Sequence, residues 1–562
     1  MRTGHSILLG GIGGDSHSVG LHILLRALGA NGYAVTFLGI QNEIDDLLRL
    51  APGFNVVMIS NMDGHAQHYL KDFAAKSLAA GRPRTLWYLG GNLTVGEAEG
   101  CREHFERLGF DRVYPKFVDL QTLLEALAED LSGVAPIVPD RRATSALPDE
   151  RFLAQREEVL RGWETGAAAR SLDDNAGFLD RQPSFPALLA AVAAGEEPIA
   201  IQPRSGVPVL SEQIELFLRF RGAGASALSY QVDSLTRNNN YAGAALAILT
   251  SQRSGRSVLN GFPVINHGVA SLRSVVEAVE APLQTRHSTR DPRLLAEISY
   301  AGGVTGFEGG AICYNVPYYK DYPLRDSIET WKYVDRLTGI YFERYGIVLD
   351  REFFGTLTGT LLPPAIPIVT DIAEAVLAAG QGVKCVTLAY AEQGNRAQDV
   401  AAIRTLASLA REILDGLGYG DVAVHTAFHQ YMAAFPPSQQ RAEELIYASA
   451  ITAALSGATR LITKTPAESR KIPTVEDNLR GLELARLGVA AAHRYPLSES
   501  AVAEEEGRLR REALAIWDSL LEAGNGSIEA GVVRGFELGL LDIPWAPSVH
   551  NRGQVLAARD LH

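Results

Sequence analysis

The stretch GGIGGDSHSVG, residues 10–20, places Asp15 two positions before His17 in a glycine-rich turn, directly after the apolar run SILLG. A buried strand has no use for either side chain. Asp15 can hold one imidazole nitrogen of His17 and leave the other free for a metal, the arrangement that orients a ligating histidine. Taken alone, D-x-H-x-x-G fits a solvated loop equally well. Gly20 would let the next helix pack closely, and Ser60 and the GGN at 90–92 end later apolar runs at the same edge. A second set begins with Arg204, Arg237 and Arg286, each following a β-rich run, with Glu308 in GFEGGAI. Guanidiniums gathered at one mouth repel unless an anion lies between them, and each offers a planar fork suited to a carboxylate or phosphate. No glycine-rich phosphate cradle accompanies them, so the set suits a small dicarboxylate. Glu308 could then receive an ammonium, which makes the complement of an acidic amino acid. The plainer reading pairs each arginine with a surface carboxylate. Asn260, His287 and Lys464 fall at further strand ends.

These residues need elements to hold them. Residues 1–131 alternate the β-rich runs SILLGGIG, AVTFLGI, FNVVMIS, TLWYLGG and RVYPK with helical windows that end in glycine. That pattern predicts a doubly wound, flavodoxin-like parallel sheet, which binds ligands beyond the carboxyl ends of its strands. Residues 132–149, rich in proline and without periodicity, read as a linker. From 150 to 562 a second βα series follows a helical preamble. Its strands are PIAIQPR, ALSYQV, SVLNGF, LQTRH, GFEGGAI, KCVTLAY, VAVHTAF and RLITK, which predict a TIM (β/α)8 barrel with functional residues at the strand ends. EFFGTLTGTL is set aside as a loop, because its Gly/Thr alternation offers little apolar surface. The fold class is therefore α/β throughout.

Composition narrows the function. A formal net charge of −13 argues against a nucleic-acid or anionic-membrane partner. Cys101, Cys313 and Cys385 are widely spaced and form no CxxC pair, which excludes a disulfide framework, disfavours a thiolate zinc site and fits a reducing cytoplasm. The first apolar run is too short for a signal-peptide core, and no apolar stretch approaches a membrane span. His5, His65, His68, His425 and His429 lack metal-ligand spacing and read as surface or pocket-lining residues.

DSHSVG, SNM at 60–62 and GGNLTVG at 90–96 resemble the cobalamin-binding module of B12-dependent mutases and methionine synthase, with Met62 where leucine is usual. The resemblance implies that His17 is the lower ligand to the cobalt of cobalamin, with Asp15 its partner, while Ser60, Gly90 and Gly91 line the pocket for the nucleotide tail. From about residue 150 onward, PRSGV, SLTRNNNY, LNGFPVINHG, RHSTRDPRLLAEISYAGG, EGGAICYNVPYYK, FGTLTGTLLPP and ITKTPAES resemble the catalytic subunit of the glutamate mutase (methylaspartate mutase) family. Two subunits that are usually separate would here be fused. The resemblance implies that Arg204, Arg237 and Arg286 clasp two substrate carboxylates and that Glu308 is the general base at the amino group. His287, Tyr314 and Tyr318 would flank the substrate. Asn260, Lys464 and Glu468 would hold the adenosyl group of adenosylcobalamin, and Gly206 would let the corrin approach.

The implied reaction interconverts L-glutamate and (2S,3S)-3-methylaspartate by radical fragmentation and recombination, with the cofactor between sheet domain and barrel mouth. The implied assembly is a homodimer. Some residues depart from the family: Gln231 replaces a small hydroxyl residue, Gly306–Phe307 a polar pair and His267 an aromatic. The family also leads one to expect a chain that runs past RDLH. These departures leave open a substituted glutamate as substrate. A non-catalytic carrier or sensor is the remaining alternative, disfavoured by the missing thiolate cluster and basic segment.

Overall fold

A computed structural model describes residues 4–555 except 16, 18, 81–83, 95–99, 116–117, 138–145, 357–361 and 472. The chain divides into two compact units, Met1–Ser145 and Ala146–His562.

In the first unit five parallel strands, β1 (Ser6–Gly11), β2 (Ala34–Phe37), β3 (Val56–Asn61), β4 (Leu86–Gly91) and β5 (Arg112–Tyr114), lie in the order β2-β1-β3-β4-β5. The strands alternate apolar residues to both faces, as a sheet covered on both sides requires. Ile7 and Leu9 of β1 meet Leu21, Leu28, Leu123 and Leu127 on one face, whereas Leu8 meets the opposite cluster around Phe73 and Phe105. Strand order reverses between β1 and β3, so the turn after β1 stands at the switch point where such sheets bind ligands. The predicted linker is partly tied down. The Asn55 side chain accepts from the Ile137 amide at 2.9 Å and donates to the Ala135 carbonyl at 2.9 Å. At its other end, the Leu147 amide donates to Gln381 at 2.7 Å. Residues 138–145 lie outside the described set.

The second unit carries eight parallel strands, β6 (Ala200–Gln202), β7 (Leu228–Gln231), β8 (Leu283–Arg286), β9 (Gly306–Glu308), β10 (Asp350–Phe353), β11 (Cys385–Ala391), β12 (Ala423–His429) and β13 (Arg460–Ile462). They run β6-β13-β12-β11-β10-β9-β8-β7, and a single parallel bridge from Ser205 to Tyr230 joins the two ends into a nearly closed barrel.

Two strand assignments change. SVLNGF, residues 257–262, is a loop: Val258 is exposed, the segment joins no strand ladder, and it touches the barrel where the Phe262 amide donates to the Gln231 carbonyl and the Phe262 ring packs on Tyr230. The eighth strand is instead β10, which opens the run set aside as a loop. Apolar content hid it, because Asp350, Arg351 and Glu352 are buried as ion pairs rather than as hydrocarbon. Residues 357–361 of that run lie outside the described set.

Candidate functional site

At the edge of the sheet, Asp15 is buried and firmly held. Its Oδ2 accepts from the Met62 amide at 2.6 Å, and its Oδ1 accepts from the His17 amide at 3.0 Å and contacts His17 Nδ1 at 2.6 Å. The His17 ring is itself 63% exposed. Nδ1 is therefore engaged, and among the described residues Nε2 has no partner and can take a ligand. Ser16 and Ser18 lie outside the described residues. Strand register lines up Gly11, Ser60, Gly90 and Tyr114 across the sheet.

Beside this row lies an apolar cavity of about 790 Å³, lined among others by Gly20, Ser60, Met62, Gly90 and Gly91. The glycines serve it differently. A Cβ on Gly91 would stand 2.1 Å from the Asn61 carbonyl oxygen, and its φ is +125°, so neighbouring backbone demands glycine there. A Cβ on Gly90 would meet nothing nearer than 3.7 Å. Gly20 corrects its expectation: an added Cβ has no neighbour within 4 Å, so this glycine opens the cavity rather than allowing close helix packing. An exposed imidazole with Nδ1 held by a buried carboxylate, at the same sheet edge as an apolar cavity, is a donor set that fits a cobalt corrinoid.

At the barrel mouth a separate pocket gathers Arg204, Arg237, Arg286, His287, Glu308, Tyr314 and Tyr318, all seven residues expected at the substrate, with Gln231, Ser288 and Phe354. Strand ends deliver Arg286 and Glu308 directly. Arg237 comes from a one-turn helix whose first amides, Leu235 and Thr236, are capped by the Asp233 carboxylate at 2.9 and 3.0 Å. Arg237 Nη1 donates to Ser288 at 3.3 Å, while its buried Nε and that of Arg286 have no hydrogen-bond partner among the described residues. Such orphaned donors are expensive unless an acceptor arrives. The pocket is small, about 20 Å³, because Arg286 already pairs with Glu308. An acidic amino acid would have to part them, its carboxylate taking the arginine and its ammonium the glutamate.

The charges are tuned by burial. Burial raises the Glu308 pKa, and the nearby Glu352 carboxylate adds to this while Arg286 opposes it. Burial, helped by Arg351, Arg237 and Arg286, pushes His287 well down. Its ring is therefore neutral. His287 Nδ1 accepts from the Thr289 amide at 3.0 Å, which leaves Nε2–H as a donor. Burial and the Glu308 charge push Tyr314 well up, so its hydroxyl keeps its proton.

Four expected residues, Gly206, Asn260, Lys464 and Glu468, sit apart from this pocket. Lys464 pairs with Glu468 at 3.2 Å, its pKa lowered by burial and by Arg204. The exposed Asn260 accepts from the Ser234 amide at 2.9 Å. Gly206 has a reason of its own within the chain, since a Cβ would stand 2.5 Å from the Gln231 carbonyl oxygen. Of the departures noted, Gln231 reaches the pocket, whereas Phe307 points outward and packs on His287 and Trp331.

Sequence reasoning missed the layer beneath the pocket. Glu352 accepts from Gln284 at 2.6 Å, Arg286 at 3.3 Å and His429 at 3.2 Å, and it pairs with Arg460. His429 and His425 are interior residues rather than surface ones. Their spacing was the available signal, since positions 425 and 429 share one face of a strand. Glu308, Glu352 and His429 bring one ligand atom each within 4.8 Å of one another. A cation placed there would face the guanidiniums already pairing those carboxylates, so the cluster reads as an ion-pair network.

The chain matches the family described as Methylaspartate mutase E chain (MutE) over residues 182–562 and the B12 binding domain over residues 5–115. A glutamate mutase epsilon subunit of Treponema denticola is 44% identical over 421 residues, 74% of this chain and 86% of that protein. Those of Desulfitobacterium hafniense and Escherichia coli O157:H7 are 45% and 42% identical, over 73% and 74% of this chain and 85% and 86% of theirs. A cobalamin-binding sheet unit followed by a barrel with an arginine-lined pocket defines a cobalamin-dependent mutase. The chain belongs to the methylaspartate mutase E chain family, with the B12-binding unit carried in the same polypeptide.

Proposed function

We propose that the chain is an adenosylcobalamin-dependent isomerase that interconverts L-glutamate and (2S,3S)-3-methylaspartate by fragmentation and recombination of a substrate radical. The observation that carries this reading is the single pocket uniting Arg204, Arg237, Arg286 and Glu308. His17 would hold the cofactor from below, Asp15 fixing its ring, while Ser60, Gly90 and Gly91 admit the nucleotide tail and Asn260, Lys464 and Glu468 the adenosyl group. When bound, adenosylcobalamin supplies the carbon radical that the polar side chains of this pocket cannot generate.

The protein's part is binding, orientation and exclusion. Arg237 and Arg286 offer unpartnered Nε–H donors to the two carboxylates, and the bidentate fork fixes their angle. Glu308 accepts from the substrate ammonium at its carboxylate oxygens and can hold one of its protons, as its raised pKa favours. Neutral His287 and the protonated Tyr314 and Tyr318 donate without adding charge. Holding both fragments by their carboxylates keeps them within bonding reach.

Anaerobic incubation of the whole chain with adenosylcobalamin and L-glutamate, assayed for 3-methylaspartate by mass spectrometry, tests this. Product from the wild type, abolished or cut at least ~100-fold in His17→Ala, is the expected result. A second reading keeps the chemistry and changes the substrate to a substituted glutamate, because the Gln231 carboxamide lines the pocket. Turnover of such an analogue with glutamate inert would select it, and inertness of every acidic amino acid would overturn both. We also propose a homodimer, in a reducing cytoplasm suited to three buried free thiols. Light scattering that returns the mass of one chain would refute the dimer. Among the described residues no helix is long and apolar enough to cross a membrane.

A further inference from the structure

We propose that Glu352 is a positioning residue: the fixed counter-ion that lets Arg286 exchange Glu308 for a substrate carboxylate. This rests on the reading of the pocket as an acidic amino-acid site. Glu352 does not line that pocket. It is wholly buried on β10, on the interior face it shares with Asp350.

The geometry makes Arg286 a bridge. Its Nη2 pairs with Glu308 on the pocket side, and its Nη1 reaches Glu352 at 3.3 Å on the interior side. Gln284, also on β8, ties its two ends together: its Nε2 donates to Glu352 at 2.6 Å and its Oε1 accepts from Arg286 Nη1 at 3.2 Å. Gln202 of β6 donates to the same Oε1 at 2.8 Å, and His429 of β12 donates to Glu352 at 3.2 Å. Donors from β8, β12 and β13 thus fix the carboxylate whatever happens in the pocket.

Substrate binding has to break the Arg286–Glu308 pair. A buried guanidinium stripped of its only carboxylate is costly, and so is one that swings freely between partners. With Glu352 in place, Arg286 keeps one ionic partner throughout and needs only to trade the other. Glu308 leaves for the substrate ammonium, and a substrate carboxylate takes its position. The net charge of the layer does not change. Glu352 also fixes the plane of the guanidinium, so that Nη2 and the unpartnered Nε present the fork toward the pocket. The role differs from that of Glu308, which touches substrate. It differs too from a purely structural role, in which Glu352 would matter only as the partner of buried Arg460.

Glu352→Gln keeps the shape and one acceptor oxygen while removing the charge. In the full chain loaded with adenosylcobalamin, KM for L-glutamate is expected to rise ~10-fold or more with kcat within ~3-fold. Calorimetric titration of the unloaded chain with L-glutamate should show the same loss of affinity.

Because Glu352→Gln leaves Arg460 with Asp350 as its remaining ionic partner, at 3.7 Å, the decisive comparison is the double variant Glu352→Gln/Arg460→Met, which balances the charge below once Asp350 holds a proton. Recovered thermal stability with affinity still ~10-fold weak supports the proposal. Wild-type affinity in either variant overturns it, since Glu352 would then serve only Arg460 or nothing in the pocket. If the wild type binds another acidic amino acid and not glutamate, the functional reading fails on substrate while the same variants are judged on that ligand. If it binds none, both fall.

Discussion

Arg286 stands between two carboxylates that titrate in opposite directions. For Glu352 burial alone would raise the pKa, but Arg460, Arg286 and His429 outweigh it and hold the group well below the ordinary range. For Glu308 burial prevails, and the fixed charge of Glu352 reinforces it. A proton shared by the pair therefore resides on Glu308, the member that faces the substrate. At this scale the outer residues were legible and the inner ones were not. Arg204, Arg237, Arg286 and Glu308 could be found because each follows a β-rich run and has no plausible use inside a strand. Glu352, Arg460 and His429 lie within strands, where a charged residue counts against the strand until its partners are known. DREF is readable once alternation replaces hydrophobicity as the criterion: Asp350 and Glu352 share the interior face, and Arg351 takes the other. There Arg351 pairs with Asp335 at 2.8 Å and donates to the Phe307 and Gly309 carbonyls at 2.6 and 2.7 Å.

Among elements, the neighbouring glycines of β4 separate fold from function. All five strands of the sheet were foreseen, since each lies in a short β-rich run between helical windows. Sequence alone could not show which glycine serves the cavity and which serves the sheet. Gly90 has room for a side chain and Gly91 has none. Gly90→Leu should therefore fold with little change in melting temperature, yet bind cobalamin at least ~10-fold more weakly by spectral titration, because the new side chain occupies the cavity. Gly91→Ala should lower stability by about 1–3 kcal/mol in chemical denaturation, through the clash with Asn61 and the positive φ. Equal effects of the two changes on cofactor affinity and stability would refute this division.

Across the whole molecule, the barrel is held from within by ionisable groups, and that makes its stability depend on pH. Burial pushes Glu374 up to about 7, and Glu392 likewise to about 7. Burial lowers His429 to about 3 and His425 to about 4. The signs oppose one another. Above the ordinary carboxylate pKa of ~4.3 and up to pH ~7, the folded chain keeps protons on Glu374 and Glu392 that the unfolded chain has released, so rising pH destabilises it. Between pH ~4 and ~6.5 the unfolded chain protonates histidines that the folded chain keeps neutral, so rising pH stabilises it. Above pH ~6.5 the histidines fall silent and only the carboxyls act.

Glu374 gives the cleaner test, because its Oε1 accepts from the Ile312 and Cys313 amides at 2.6 and 3.1 Å while its buried Oε2 has no hydrogen-bond partner among the described residues. A carboxamide can take the place of its protonated form. Relative to wild type, Glu374→Gln is therefore expected to gain on the order of 1–3 kcal/mol in unfolding free energy as pH rises from ~5 to ~8. The gain should appear as a growing difference between the two denaturation midpoints. A difference that stays constant across this range would mean that Glu374 is ionised in the folded chain. The turn that carries Tyr314 and Tyr318 would then rest on a buried charge, not on a neutral carboxyl.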